Sequence, residues 1–183
     1  MRTFQVRYAS SILATRTMID EILDIVDEND VVIGQKKRSE IYSEGLSNFR
    51  VINAFVVNKD GKMWIPRRTS SKKLNPLCLD FSVGGHVESR ETYKEAFRRE
   101  TAEELNLDIS KVKWRELGAM NPRAHGTLAF MKVYEIKMNE TPKYNTDDFT
   151  EYFWLTPPEL FEKLEKGDKS KDDLPKVVKY FYS

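Results

Sequence analysis

The sequence predicts a single α/β domain preceded by an N-terminal arm, and three observations lead to this fold class. Segments typical of strands and of helices alternate along the whole chain, with no internal repeat and no low-complexity linker. The length of 183 residues suffices for one domain with a substantial core, and the hydrophobic content of 40% is that of a globular protein. We therefore expect an extension at residues 1–20 and one domain at 21–183 that ends in a helix.

The first half of the chain is predicted to be rich in β-hairpins. Residues 21–34 (EILDIVDENDVVIG) place two short apolar runs around an Asp-Glu-Asn-Asp turn. Residues 50–57 (RVINAFVV) and 63–68 (MWIPRR) are typical strands that flank the turn sequence NKDGK. After a polar, basic loop, residues 78–85 (CLDFSVGG) are expected to form a short strand that ends in two glycines.

The second half is predicted to mix helices and strands. An acid-rich helix follows the glycine pair, and strands are expected at 114–122, 126–137 and 152–156. Residues 157–167 (PPELFEKLEKG) begin with two prolines and end in glycine, as a short helix does. The final segment, 172–183, is expected to close the fold as a last helix.

Composition and charge exclude several function classes. The chain has 30 Lys and Arg against 29 Asp and Glu, and its net charge of +1 predicts no global attraction to a nucleic-acid polymer or a membrane. No apolar run approaches the length of a membrane span. The single cysteine, Cys78, excludes an internal disulfide and fits a reducing compartment, so we expect a cytoplasmic protein.

The first nineteen residues contain three arginines and no acid. An organelle-targeting segment, an ordinary extension, or a start assigned too early with Met18 as the true start would each explain this composition.

The helix that follows the glycine pair carries a cluster of like charges. On a helical wheel, Tyr93, Ala96 and Phe97 form the stripe that is expected to face the core. Three carboxylates continue this stripe along the next turns: Glu100, Glu103 and Glu104. Four residues take the opposite, solvated side: Lys94, Glu95, Arg98 and Ala102.

A divalent cation is the explanation that we favour for this cluster. Carboxylates at helical spacings of three and four repel each other by roughly 0.2–0.5 kcal/mol in water, and by more when desolvated. A solvated outer face is the ordinary reason for an acidic helix, but it does not explain acids on the core side. Mg²⁺ (or Mn²⁺) takes oxygen ligands and keeps waters for a substrate phosphate. The carbonyl of Gly85, which ends the preceding strand, is a further candidate ligand.

These residues resemble the Nudix box, in which a glycine, a glutamate and an Arg-Glu-x-x-Glu-Glu segment stand at fixed spacing. The matching positions are Gly85, Glu91, Arg99, Glu100, Glu103 and Glu104. Two positions depart from the pattern: Thr101 replaces an aliphatic residue, and Asn106 replaces a glycine at the left-handed end of the helix. The resemblance implies an α/β/α sandwich around a mixed β-sheet, and metal-dependent hydrolysis of a diphosphate bond.

The resemblance also implies roles for individual residues. The predicted metal ligands are Gly85, Glu100, Glu103 and Glu104. The predicted catalytic residues are Glu91, Arg99, Glu103 and Glu104, the first two by organising the helix and one box glutamate by helping to deprotonate the attacking water. The implied substrate is a small-molecule diphosphate, in particular a nucleotide, and a homodimer is among the oligomeric states that the sequence leaves open.

A wider stretch, about residues 21–160, is similar to the isopentenyl-diphosphate-isomerase-like group of this superfamily, which makes isomerisation the main alternative. The isomerases carry a catalytic cysteine where this chain has Gly84, and Cys78 lies six residues too early. Their two upstream metal-binding histidines fall on Tyr42 and Phe49, and their downstream Glu-x-Glu pair is absent. Hydrolysis is therefore favoured. A non-catalytic nucleotide-binding domain is a third alternative, although that class usually lacks some box glutamates.

Basic residues near the acidic helix are candidates for contact with substrate phosphate: Arg67, Arg68, Lys73 and His86, with Lys72 in the same patch. Guanidinium groups bind phosphate oxygens bidentately, but a solvated strand end explains the same residues. For His86 a hydrogen-bonded loop position is the alternative. Three acids precede the predicted strand at 152–156: Asp147, Asp148 and Glu151. They are candidates for a general base or an extra metal ligand, and turn formation is the alternative.

Overall fold

A computed structural model describes residues 20–183 and shows a six-stranded sheet with helices on both faces. A separate antiparallel hairpin, β1 (Ile22–Val26) and β2 (Val32–Lys37), precedes the sheet and confirms the predicted turn between them. The alternatives for the N-terminal arm fall on residues 1–19, outside the described residues. The division into an extension and one domain stays a prediction.

The sheet is mixed. Its strands are β3 (Arg50–Val57), β4 (Met63–Arg68), β5 (Val83–His86), β6 (Lys113–Met120), β7 (Phe130–Lys137) and β8 (Phe149–Leu155). Five of them are hydrogen-bonded in the order β6-β7-β3-β4-β8. The sixth, β5, is not part of this linear order and pairs with β3. β3 runs parallel to β7, whereas the other pairs are antiparallel. β3 is therefore the central strand, in contact with three others.

Helices cover the two faces of the sheet and give the predicted α/β/α sandwich. They are α1 (Arg38–Ser43), α2 (Tyr93–Leu105), α3 (Pro122–His125), α4 (Pro157–Glu165) and α5 (Asp173–Tyr182). Successive side chains of a strand point to opposite faces, so β3 contributes side chains to the hydrophobic core on each face of the sheet. Ile52, Ala54 and Val56 pack beneath α2. Phe55 and Val57 pack against α4 and α5.

Several features of the fold differ from the sequence prediction. The helix α3 was not predicted, β7 begins at Phe130 rather than at residue 126, and β8 begins at Phe149 rather than at residue 152. The short helix α1 was not predicted, because it buries only Ile41 and so shows no apolar period. The strand predicted at 78–85 begins only at Val83, and its glycines lie inside it: Gly84 and Gly85 pair with β3. The glycine pair is therefore held within the sheet rather than in the loop that follows it.

The last helix is fixed to the sheet by a buried acid. Glu135 on β7, with a side chain only 2% exposed, accepts hydrogen bonds from the Tyr182 hydroxyl at 3.0 Å and from Arg115 Nε at 2.9 Å. Desolvation acts to raise the pKa of Glu135, but these partners and Lys137 hold it below the usual glutamate value. None of the helices described for residues 20–183 has the length and apolar character that crossing a bilayer requires.

Candidate active site

The acidic helix α2 is defined at both ends by its own side chains. Thr92 accepts the backbone N–H of Glu95 at 3.3 Å, and the Glu95 carboxylate accepts the backbone N–H of Thr92 at 2.8 Å. This capping box fixes the start of the helix just after the loop from β5. At the other end Asn106 takes the predicted left-handed conformation, with φ of 50°.

The predicted core stripe of α2 is confirmed at Ala96 and Phe97, and the four residues predicted to be solvated are exposed. One detail of the wheel was wrong. The buried stripe continues through Thr101 and Leu105, so the three acids lie at its edge and do not take core positions. The side chains of Glu100 and Glu103 are 13% and 32% exposed.

Glu104 is desolvated and faces like charges. Its Oε2 accepts the backbone N–H of Gly84 at 3.0 Å, which joins α2 to β5. Burial, and then the nearby carboxylates of Glu100 and Asp80, raise the pKa of Glu104 well above the usual glutamate value. A bound cation would relieve this repulsion.

Gly85 marks the closest approach of β5 to α2. A Cβ at this position would overlap the carboxyl group of Glu100, so the present position of that carboxyl group requires a glycine here. At Gly84 an added Cβ would stand 3.0 Å from Asn53 Oδ1 and 3.7 Å from Lys171 Nζ. The glycine pair thus leaves room for the carboxylates on one side and for a lysine on the other.

Arg99 connects the loop, the strand and the helix. Its Nε and Nη2 donate to the two carboxylate oxygens of Glu91 at 2.8 and 2.7 Å. Nη2 also donates to the carbonyl of His86 at 2.9 Å. Nη1 pairs with Glu100 and lies 4.0 Å from Glu103. These are the contacts expected if Glu91 and Arg99 organise the acidic helix. A direct role of Glu91 or Arg99 in catalysis stays a prediction.

We expect Arg99→Met to lower the free energy of unfolding by about 3 kcal/mol, because it leaves the partly buried Glu91 carboxylate without a counter-charge. The neighbouring Arg98 is exposed, so Arg98→Met is a matched control that is expected to change stability by at most about 0.5 kcal/mol. Urea unfolding of both variants measures the difference. Equal effects at the two positions would contradict the organising role of Arg99.

A cavity of about 640 Å³ opens beside the glycine pair. Gly84, Gly85 and Glu100 form part of its wall. Among the described residues, the basic side chains that line it are Arg38, Arg68, Lys72, Lys171 and Lys176. The volume lies within the range of roughly 300–1,000 Å³ that is typical of small-molecule sites.

The structure separates the residues that were predicted to bind phosphate. Arg68 lines the cavity, whereas Arg67 does not, because neighbouring side chains of β4 point to opposite faces. Arg67 pairs instead with Asp168 at 2.8 Å. Lys73 also lies outside the cavity lining, and Lys72 takes its place there.

His86 lines the cavity, but both of its ring nitrogens have partners. Nδ1 lies 3.2 Å from a Glu21 carboxylate oxygen, and Nε2 lies 3.0 Å from the Tyr42 hydroxyl. Burial lowers the pKa of His86, with the hydrogen bond to Glu21 opposing it. Phe49 packs against the same ring at 5.8 Å. These contacts favour a hydrogen-bonded structural role over phosphate binding, although His86 is the last residue of β5 and does not lie in a loop.

Of the three acids predicted as a general base, an extra ligand or a turn, one lies near the site; Asp147 and Asp148 precede β8, and Glu151 lies within it. Asp148 pairs with Lys72, and its charge contributes to the raised pKa of Glu104. Glu151 pairs with Arg67 instead, and Asp147 is exposed. Asp148 is therefore the candidate among them for a general base or an additional ligand.

The donor set near the box fits a divalent cation that keeps part of its water shell. Within residues 20–183, no three His, Cys, Asp or Glu side chains converge into a complete ligand cluster. Mg²⁺ usually takes one or two protein carboxylates and fills its remaining positions with water and substrate phosphate. The desolvated Glu104, the adjacent Glu100 and the cavity that Gly85 lines suit that incomplete protein set.

The sequence prediction did not assign several cavity residues to the site: Arg38, Tyr42, Lys171 and Lys176. Arg38 begins the unpredicted helix α1, and the two lysines come from the C-terminal segment. The one feature of the sequence that marks the C-terminal segment is its run of basic and acidic residues at 169–173 (KSKDD). Nothing in the spacing of these residues indicates that they lie near the acidic helix.

Known proteins are similar to this one over most of the chain. The NUDIX domain family matches residues 48–176. An uncharacterized Nudix hydrolase of Nostoc sp. is 61% identical over 163 residues, which cover 89% of this chain and 96% of that protein. A Nudix hydrolase of Deinococcus radiodurans is 45% identical over 163 residues, or 89% of this chain and 95% of that protein.

A solved structure supports the same assignment. The crystal structure of DR0079 from Deinococcus radiodurans superimposes with a TM-score of 0.84 at 44% identity, covering 89% of this chain and 100% of that one. The narrower resemblance to the isomerase-like group stays a prediction. The chain belongs to the NUDIX domain family, and it is an enzyme of the Nudix hydrolase type.

Proposed function

We propose that the protein is a Mg²⁺- or Mn²⁺-dependent pyrophosphohydrolase that cleaves a diphosphate bond in a nucleoside di- or triphosphate or in a nucleoside diphosphate derivative. The observation that carries this proposal is that Glu100 and Gly85 line one cavity with several basic side chains, while the desolvated Glu104 binds the N–H of the neighbouring Gly84. Acidic and basic groups that share one cavity suit a ligand that is itself an anion and is bound partly through a cation.

The proposed ligands of the cation are Glu100, Glu103, Glu104 and the carbonyl of Gly85. When bound, the cation neutralises charge on the phosphate oxygens and lowers the pKa of the attacking water. Arg68 and Lys72 donate charge-assisted hydrogen bonds to the phosphates. Arg99 and Glu91 hold the carboxylates of α2 in one geometry. Either Glu103 or Glu104 accepts the proton of the water.

The isomerase alternative is disfavoured by what stands at its expected positions. Gly84 supplies no thiol, and Tyr42 and Phe49 form an aromatic cluster with His86. Incubation with isopentenyl diphosphate tests this alternative directly, since an allylic product would contradict the hydrolase proposal. A cytoplasmic location and a homodimer are further proposals, and no nucleic-acid polymer or membrane is proposed as a partner.

We expect cation-dependent cleavage when the purified protein is incubated with nucleoside di- and triphosphates, dinucleoside polyphosphates and nucleoside diphosphate sugars. Products are separated by anion-exchange chromatography with Mg²⁺, with Mn²⁺ and with EDTA. Chelation is expected to abolish turnover, and excess Mg²⁺ to restore it, because without the cation the carboxylates of α2 would repel the substrate phosphates. Cleavage that persists in EDTA, or its absence across the panel, would contradict the proposal.

A further inference from the structure

A buried carboxylate, that of Asp80, is shared by two basic side chains that line the cavity. The Asp80 side chain is 5% exposed. Its Oδ2 accepts a hydrogen bond from Arg68 Nη1 at 2.7 Å, and its Oδ1 pairs with Lys171 Nζ at 3.2 Å. Oδ1 also accepts the backbone N–H of Phe81 at 2.7 Å. One carboxylate is therefore the partner of two positively charged side chains, and both of these side chains line the cavity.

The remaining basic side chains of the cavity are balanced differently. Within the part of the chain that the structure describes, each of them pairs with a carboxylate other than Asp80. The pairs are Arg38–Glu21, Lys72–Asp148 and Lys176–Asp173. Arg68 and Lys171 are thus the two of these five basic side chains that share a single carboxylate partner, and an anion that enters the cavity would be attracted to them.

Lys171 reaches the box from the segment before α5. Its backbone N–H donates to the carbonyl of Leu79 at 3.0 Å, which joins that segment to the residues that carry Asp80. Its Nζ lies next to Gly84, whose N–H binds Glu104. The Lys171 side chain is 29% exposed, so a ligand in the cavity can reach the ammonium group.

We propose that Lys171 and Arg68, held in place by Asp80, form an anion subsite that binds a phosphate group of the substrate. The identity of the ligand as a phosphate rests on the proposed function. An ammonium group has three N–H donors, and Asp80 engages one of them, which leaves others for phosphate oxygens. Asp80 is a positioning residue, because its buried carboxylate fixes both cations without meeting the ligand.

Binding of inorganic pyrophosphate without divalent cation tests the subsite apart from catalysis. By isothermal titration calorimetry, Lys171→Met is expected to raise the Kd for pyrophosphate by about 10- to 100-fold, the loss of a charged hydrogen bond. Lys171→Arg keeps the charge and is expected to recover most of the affinity. Lys169→Met is the matched control, because Lys169 is exposed and does not line the cavity.

Two outcomes overturn the subsite: wild-type protein that binds no pyrophosphate, and Lys171→Met protein that binds it as tightly as the Lys169→Met control. Thermal unfolding of each variant verifies that a loss of binding is not a loss of fold. With any substrate found in the panel, KM is expected to rise in Lys171→Met by a similar factor, with a smaller change in kcat.

Failure of the proposed function has a different signature. The wild type would then cleave no member of the panel, while the difference in pyrophosphate Kd between Lys171→Met and Lys169→Met would persist. Cation-dependent cleavage with equal KM in these two variants would instead reject the subsite and leave the hydrolase proposal standing.

Discussion

Glu104→Gln is expected to lower kcat of the proposed hydrolysis by roughly 10³-fold, the largest effect that we expect of any single substitution in this chain. The amide is neutral, so it neither holds a hard cation as a carboxylate does nor accepts a proton from water. The fold should persist, because the amide oxygen can still accept the Gly84 N–H that lies 3.0 Å from the present carboxylate. Repulsion from Glu100 and Asp80 is also removed.

The measurement for Glu104→Gln is kcat at saturating Mg²⁺, with thermal unfolding recorded in parallel. Glu165→Gln provides the matched control, since Glu165 is exposed at the end of α4 and outside the cavity. Mn²⁺ affinity, read by electron paramagnetic resonance, should fall in Glu104→Gln and remain unchanged in the control. A variant that turns over at the wild-type rate would remove Glu104 from the mechanism.

Gly85→Ala is expected to have the second largest effect, a loss of about 10²-fold in activity together with roughly 1–3 kcal/mol of stability. The added methyl group would overlap the carboxyl group of Glu100, so that side chain must leave its position or the strand and helix must separate. Because Glu100 also pairs with Arg99, its displacement would disturb the contacts that orient the box.

Gly34→Ala is the matched control for Gly85→Ala. Gly34 also lies in a strand, and nothing stands within 4 Å of an added Cβ there. Activity assays and urea unfolding of the two variants compare the same chemical change in a crowded and in an open position. Similar behaviour of the two would show that the close approach at Gly85 is not required.

The parts of the fold that sequence could predict are those with a clear local pattern. β3 and β4 have the predicted bounds, because apolar runs of strand length flank a glycine-containing turn. The start of α2 follows from the Thr92–Glu95 capping box, a signal only four residues long. The helix α1 lacks such a pattern, since its one buried residue is Ile41.

The candidate site was predictable only where its residues are close in sequence. Gly85, Arg99 and Glu104 belong to one continuous segment, and their spacing alone predicts that they meet. The choice between Arg67 and Arg68 depends on which face of β4 meets the cavity, and that is set by strand pairing rather than by composition. Lys171 joins the site only through tertiary packing, so no local pattern could reveal it.

The parallel pairing of β3 with β7 sets a condition on biosynthesis. Arg50 pairs with Phe130 and Val57 pairs with Lys137. The central strand β3 is therefore synthesised well before β7, the strand with which it pairs. Until Lys137 has left the ribosome, one edge of β3 in the nascent chain has no native neighbour. An unpaired strand edge is a template for association with other chains, so a ribosome that stalled before this point would leave an aggregation-prone fragment.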